Sequence, residues 1–176
     1  FLTFWPDDTQ ALQVTGGSLI RRRFERWLLD TLMQCEKAKR KHIIFELAEA
    51  DVGQHISRLR PVVRLINALG ARVAVTQAGL TMVSTSWIKQ LEVELIKLHP
   101  GLVRNIEERP ENQLLAQSLV EACKGTPTVV FATGVRTRNE WQTLTECGLT
   151  GGQGDFFASS QPIDTNVKKY SQRYSV

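Results

Sequence analysis

The chain is 176 residues long, with a net charge of +4, a pI near 9.2, 42% hydrophobic residues and 23% charged residues. That length carries one domain with a real core, and the composition is that of an ordinary globular protein, which excludes a disordered or fibrous chain. No apolar run reaches the length of a membrane span and no signal-peptide pattern opens the chain; the mild basic balance permits a polyanionic partner without demanding one.

Short β-rich runs alternate with helical patterns from end to end. The chain opens on Phe1-Leu2-Thr3-Phe4-Trp5 with no initiator methionine, which reads as the start of a fragment. Residues 11–15 are the first candidate strand. Ser18 reads as the N-cap of a helix carrying Phe24, Trp27, Leu28, Thr31 and Leu32 at helical spacing, closed by a basic cluster. Residues 43–47 form the second strand, and 52–69 a helix with Ile56, Leu59, Val63 and Ile66 on one face and Gly70 as its stop. Strands follow at 72–77 and 95–99, a helix at 111–124, a strand at 128–133, a helix at 137–147 and a weaker strand near 153–157. The strands are continuous apolar runs, the mark of parallel strands covered on both faces. Repeated β-α units mean an α/β fold with a parallel sheet, open or closed into a barrel, and periodicity alone does not choose. No linker or internal repeat divides the chain, so residues 1–165 read as one domain and 166–176 as a tail. Cys35, Cys123 and Cys147 have no metal-ligand spacing and read as reduced, packed thiols of a cytoplasmic protein.

Six short segments fall at the strand ends. They are Ala11-Leu12-Gln13-Val14-Thr15, Phe45-Glu46-Leu47-Ala48-Glu49, Thr76-Gln77-Ala78-Gly79, Lys97-Leu98-His99, Ala132-Thr133-Gly134-Val135-Arg136 and Gln153-Gly154. In this order, with βα spacing, they resemble the EAL domain family of bacterial cyclic di-GMP phosphodiesterases, over nearly the whole chain to about Pro162. The resemblance implies a (β/α) barrel related to the TIM barrel, its N-terminal strand and the following helices absent from this chain, with functional groups at the C-terminal ends of the strands. Measured against the family pattern, Glu46, Lys97 and Gln153 are retained, with Glu49 as a support residue. Gln13 stands where the family has a metal-binding asparagine, and Thr76 and Gln77 stand for its paired aspartates. His99 replaces the acid of K-I-D, and Thr133 and Arg136 replace both acids of A-E-G-V-E.

Two-metal phosphodiester hydrolysis needs several anionic ligands to neutralise the cations and activate water. One carboxylate beside a lysine does not replace that cage. The resemblance therefore implies a degenerate domain with no catalytic residue, no metal site and no cofactor. A cyclic di-GMP receptor without catalysis is the alternative, with Arg136 and Lys97 on phosphate. The plainer reading pairs Lys97 with Glu46 across an unused barrel mouth.

The runs Ile43-Ile44-Phe45-Glu46 and Ser84-Thr85-Ser86-Trp87-Ile88-Lys89, with the tail Lys168-Lys169-Tyr170-Ser171-Gln172-Arg173-Tyr174, are similar to a degenerate branch of the family in enteric bacteria. That branch directs regulatory small RNAs to RNase E. The likeness implies a regulator that promotes RNase E-dependent decay of small RNAs by protein, and through its basic surface RNA, binding. Implied partners are the unphosphorylated glucose-specific IIA component of the phosphotransferase system, regulatory small RNA and RNase E. It also implies a place at the cytoplasmic face of the inner membrane, held by an anchor outside this chain, with no membrane contact from this segment. A homodimer is left open, because an unpaired strand at 11–15 would seek a partner.

Two basic groups are candidates for RNA or partner contact: Arg21, Arg22, Arg23 and Arg26 at one end of the first helix, and Lys37, Lys39, Arg40 and Lys41 at the other. Cations at a helix C-terminus suit its dipole, whereas the arginine triplet opposes it, which points to a solvated or functional face. Beside Trp27 such a stripe fits RNA phosphates, and a solvated helix face is the plain alternative. No RRM or KH signature is present, so RNA contact would be largely electrostatic. His42, His55 and His99 lie in different elements without ligand spacing and read as satisfied or solvated. Phe4, Trp5, Trp87 and Trp141 read as packing residues, and Phe156-Phe157 as a seal on one end of the barrel.

Overall fold

The apolar runs pair in the order in which they occur. A computed structural model describes residues 9–80 and 85–158; Phe4, Trp5, Lys168, Lys169 and Arg173 lie outside them. Strands β1 (Gln10–Gln13), β2 (Ile43–Ala48), β3 (Arg72–Ala78), β4 (Leu95–Leu98), β5 (Val129–Thr133) and β6 (Gly151–Gln153) form one six-stranded sheet in the order 1-2-3-4-5-6, parallel at every pairing. Between them run α1 (Gly16–Leu19), α2 (Arg22–Gln34), α3 (Lys37–Arg40), α4 (Glu49–Ala68), α5 (Ser86–Leu91), α6 (Pro100–Val103), a 3-10 turn at Ile106–Glu108, α7 (Pro110–Cys123) and α8 (Arg138–Glu146). Parallel neighbours joined by helical crossovers curl the sheet into an α/β half-barrel with the helices outside.

Strand alternation divides the buried residues into two cores. Phe45, Leu47, Val73, Val75, Ile96, Leu98, Val130 and Ala132 face the helices and join Leu28, Leu32, Leu59, Val63, Ile66, Trp87 and Leu119. The intervening Ile44, Ala74 and Leu95, with Phe131 packed against them, form a small separate cluster on the concave face. Each buried large apolar side chain contributes about 1.5–3 kcal/mol, so the helix side carries most of the stability. A side chain at Gly151 would run into the Phe131 ring, and glycine lets β6 pass it.

Several elements differ from the sequence reading. Ser18 does not cap a long helix: its amide donates to Thr15 Oγ1 at 3.1 Å, closing the one-turn α1, and α2 starts after Arg21, which supplies no side-chain cap. The chain leaves the helical conformation at Arg21 (φ −82, ψ 115), while Gly16 lets α1 lie against α4, where its amide donates to Asp51 Oδ2 at 2.8 Å. The basic cluster does not close α2 but forms its own turn, α3. Arg40 there donates Nε to the Cys35 carbonyl, Nη2 to Met33 and Nη1 to Leu69, satisfying the ends of both α2 and α4. The last strand lies earlier than residues 153–157. At Gly154 (φ 149) the chain turns so close to the Val135 backbone that no side chain fits. Phe157 then packs edge-on against Trp141 at 5.0 Å, over the helix side of β6, so the Phe156-Phe157 pair does not seal the barrel. The short α5 and α6 give no periodic window to read, although α5 buries Trp87, Ile88 and Leu91. Among the described residues β1 pairs only with β2, leaving the expected free edge.

Burial raises the thiols of Cys123 and Cys147 above the ordinary value of 9.0, whereas Cys35 is half-buried with Sγ donating to the Thr31 carbonyl. Thiolate is the reactive form. At neutral pH a maleimide is expected to label Cys35 in the native protein, and Cys123 and Cys147 only after unfolding. Peptide mass mapping that finds all three labelled at one rate would contradict this.

Candidate functional site

The concave mouth is built by residues that strand alternation aims inward. Glu46 of β2 lies opposite Ala74 of β3, and Lys97 of β4 reaches across that alanine. Lys97 Nζ and Glu46 Oε1 are 2.5 Å apart, with only 15% and 9% of the two side chains exposed. The small side chain at Ala74 leaves the room that this cross-strand bridge needs. The pair cancels its own charge, so the one inward carboxylate retained from the family pattern is already engaged by a cation.

The neighbouring positions hold hydroxyls tied to backbone. Thr76 Oγ1 donates to the Leu47 carbonyl at 3.4 Å, and Thr133 Oγ1 donates to the Leu98 carbonyl. Gln77 is exposed at φ 61, in the irregular step between Val75 and Ala78. Gln13 and Gln153 are exposed at the two sheet edges. Glu49 is buried, and its Oε2 accepts from the Gly79 amide at 3.1 Å. That bond anchors the turn after β3, where Gly79 adopts φ 87 and a Cβ would lie 2.6 Å from Leu102. His99 caps α6, with Nδ1 accepting from the Gly101 amide at 2.9 Å. The mouth thus brings Glu46, Lys97, Thr76 and Thr133 to one face, while Gln77 points away and His99 serves the backbone. Among the described residues no three His, Cys, Asp or Glu side chains gather into a group able to hold a metal ion.

Arg136 is exposed and its side chain makes no ion pair among the described residues, but its amide leads to a residue that sequence reasoning missed. Glu140, 1% exposed, accepts from the amides of Arg136 (2.7 Å), Thr137 (3.2 Å) and Asn105 (3.0 Å). Burial pushes its carboxyl up, but these three donors and the Arg136 charge outweigh burial and hold it below the ordinary value. The signal was present: Thr137-x-x-Glu140 is a capping box, and Thr137 Oγ1 accepts from the Glu140 amide in return.

The two basic groups do not merge into one stripe. They sit at opposite ends of α2, whose 13 residues span about 20 Å. At the first end Arg21, Arg22, Arg23 and Arg26 are exposed and carry no ion pair among the described residues. At the other, Lys39 pairs with Glu36 at 3.1 Å and Arg40 is held by three carbonyls, leaving Lys37 and Lys41 exposed. No helix among the described residues is long and apolar enough to cross a membrane.

With this geometry, the chain compares as follows with known proteins. Residues 5–160 match the profile of the EAL domain. Over 175 residues the chain is 78% identical to "RNase E specificity factor CsrD" of Escherichia coli K12, covering 99% of this chain and 27% of the relative. It is 29% identical over 129 residues to "Cyclic di-GMP phosphodiesterase PdeR" of the same organism, covering 73% of this chain and 19% of that one. The chain therefore spans about a quarter or less of these relatives' lengths. Among solved structures, Klebsiella pneumoniae BlrP1 in a calcium and cyclic di-GMP complex superposes with a TM-score of 0.72 at 26% identity, covering 83% of this chain and 37% of that one. An EAL domain protein of Listeria monocytogenes gives 0.77 at 18% identity, covering 93% and 65%, a likeness of fold alone.

Proposed function

The chain belongs to the EAL domain family, and from that premise we propose that it is a non-catalytic regulatory member that promotes RNase E-dependent decay of regulatory small RNAs. The observation that carries this reading is the mouth's lack of acids: among the described residues no three His, Cys, Asp or Glu side chains gather there to hold a metal ion. A metal-dependent phosphodiesterase needs several free acids around its cations, whereas here the positions beside the retained Glu46–Lys97 pair are the neutral Thr76 and Thr133, whose hydroxyls are tied to the Leu47 and Leu98 carbonyls. The 78% identity to an Escherichia coli protein named for RNase E specificity supplies the biological setting. In this reading the domain acts through protein contact, with the unphosphorylated glucose-specific IIA component as its partner, at the cytoplasmic face of the inner membrane. Glu46, Glu49, Lys97 and Gln153 are a scaffold remnant rather than a reaction site.

The test replaces the matching segment of the Escherichia coli relative with this chain and follows small-RNA half-life in cells lacking the relative. Restored rapid decay is expected, with no hydrolysis of cyclic di-GMP by the purified chain in magnesium or manganese. Measurable turnover, or a chimera that leaves the small RNAs long-lived, would sink the proposal. Capture of the IIA component only in its unphosphorylated form tests the partner assignment.

A cyclic di-GMP receptor is the second reading, favoured by the BlrP1 likeness and by the exposed Arg136 just after β5. Calorimetry separates it from the first: heat that saturates with added cyclic di-GMP supports the receptor, and a flat titration removes it.

A further inference from the structure

A cavity of about 370 Å³ opens in the helix layer where α1 meets α2, lined by Ser18, Arg21, Arg23, Phe24 and Trp27. Its volume lies within the range of small-ligand sites, about 300–1,000 Å³. Trp27 is 58% exposed, while Leu28 and Leu32 supply the buried face of α2, so the indole is not part of the core. Its ring lies 5.4 Å from that of Phe24, tilted by 42°, a contact that steadies one edge and leaves the rest open. The surrounding charge is predominantly positive, four arginines against Glu25 and Asp30 on α2. Arg21, Arg22, Arg23 and Arg26 are all exposed and meet no carboxylate among the described residues. Glu25 is the sole acid in the first turn of α2.

Forked guanidinium groups beside an open indole are complementary to a ligand that is flat and apolar in one part and anionic in the next. An acidic protein surface would satisfy the arginines and leave the indole face unused. A nucleotide satisfies both, its phosphate on the fork and its base on the ring. We propose that this cavity binds single-stranded RNA, with one base stacked on Trp27 and the adjoining phosphates held by Arg21 and Arg23. The inference rests on the regulatory reading above and gives it a site of RNA contact, distinct from the barrel mouth. A duplex keeps its bases stacked inside and cannot present one to Trp27, so the site selects single strands.

The whole 176-residue chain is titrated with a short fluorescein-labelled oligouridylate and, separately, with a blunt RNA duplex. Trp27→Ala is expected to weaken oligouridylate binding about tenfold without changing its salt slope, and Trp27→Phe to restore most of the loss. Arg21→Gln with Arg23→Gln is expected to flatten the slope of log affinity against log salt by about 1.4, at about 0.7 per phosphate. These side chains are exposed, so an unchanged unfolding midpoint checks that each variant is folded. Three results would each overturn the proposal: oligouridylate binding that ignores Trp27, tighter binding of the duplex, or Trp27-dependent binding of polyglutamate, which would assign the cavity to a protein partner. The two readings fail separately. A chimera that restores decay while Trp27→Ala binds oligouridylate normally removes only the RNA site, and a chimera that fails while Trp27-dependent binding persists removes only the decay role.

Discussion

Lys97→Met is expected to destabilise the protein by about 3–5 kcal/mol at neutral pH, and Glu46→Leu added to the same chain to recover most of that loss. The reasoning starts from burial. Glu46 is 7% exposed and its carboxylate meets Lys97 at 2.5 Å. Methionine fills the space of the lysine stem but removes the ion partner of Glu46, so a nearly buried carboxylate is left uncompensated beside Ala74. Leaving one member of a buried pair uncompensated costs more than the pair itself contributes, because desolvation of the survivor is no longer offset. Replacing both members with apolar groups removes that penalty and extends the Ile44–Leu95–Phe131 cluster toward the mouth. Glu46→Leu alone is expected to cost less than Lys97→Met, since the longer lysine can swing its ammonium to solvent through the open face. Urea midpoints of the two single variants and the double variant form a cycle, and a coupling near zero would show that the pair does not hold the mouth together. The double variant also speaks to function. If the mouth is only scaffold, it leaves small-RNA decay in the chimera unchanged, whereas loss of decay in a folded double variant would return the site to service.

The mouth was legible in the sequence because it depends on period-two alternation within strands and on strand order, both of which apolar runs announce. Glu46 and Lys97 fall on one face for that reason, and their pairing followed once the other acids were seen to be missing. The neutral Thr76 and Thr133 were equally legible as losses, but not the use of their hydroxyls, which bridge to carbonyls on neighbouring strands. Such bonds depend on register, and register is set by tertiary packing. Arg40 shows the same limit more sharply. In the sequence it is one cation in a basic run, while in the fold it is a clamp on three carbonyls drawn from residues 33, 35 and 69. The helix break near residue 20 was missed for the opposite reason. Its signal, Thr15 three residues before Ser18, was local, but the apolar spacing of α2 extended the reading through it. Trp27 stood in the sequence both at the apolar spacing of the helix and beside the arginines, and only its exposure in the fold separates it from Leu28.

Glu140→Gln is expected to cost about 2–4 kcal/mol at neutral pH, nearly as much as Glu140→Ala, although it is the closest isostere. The carboxylate offers Oε1 to the Asn105 amide and Oε2 to those of Arg136 and Thr137. A glutamine has one oxygen, so in either orientation its NH2 group confronts an amide donor and leaves at least one N–H of the clamp unpaired. The damage falls between two segments that the clamp joins, the turn at Asn105, held at φ 51, and the entry to α8. The pH dependence fixes the electrostatic share. The folded carboxyl titrates below its ordinary value of 4.5, so its contribution is fully present above that value and disappears as pH falls through the lowered folded one. The stability gap between the wild-type chain and Glu140→Gln should therefore be widest at neutral pH and close steadily in acid. Denaturation midpoints across that range measure it directly. A gap that stays constant from neutral pH into strong acid would mean that the clamp works through shape alone, and that the charge on Glu140 contributes nothing to it.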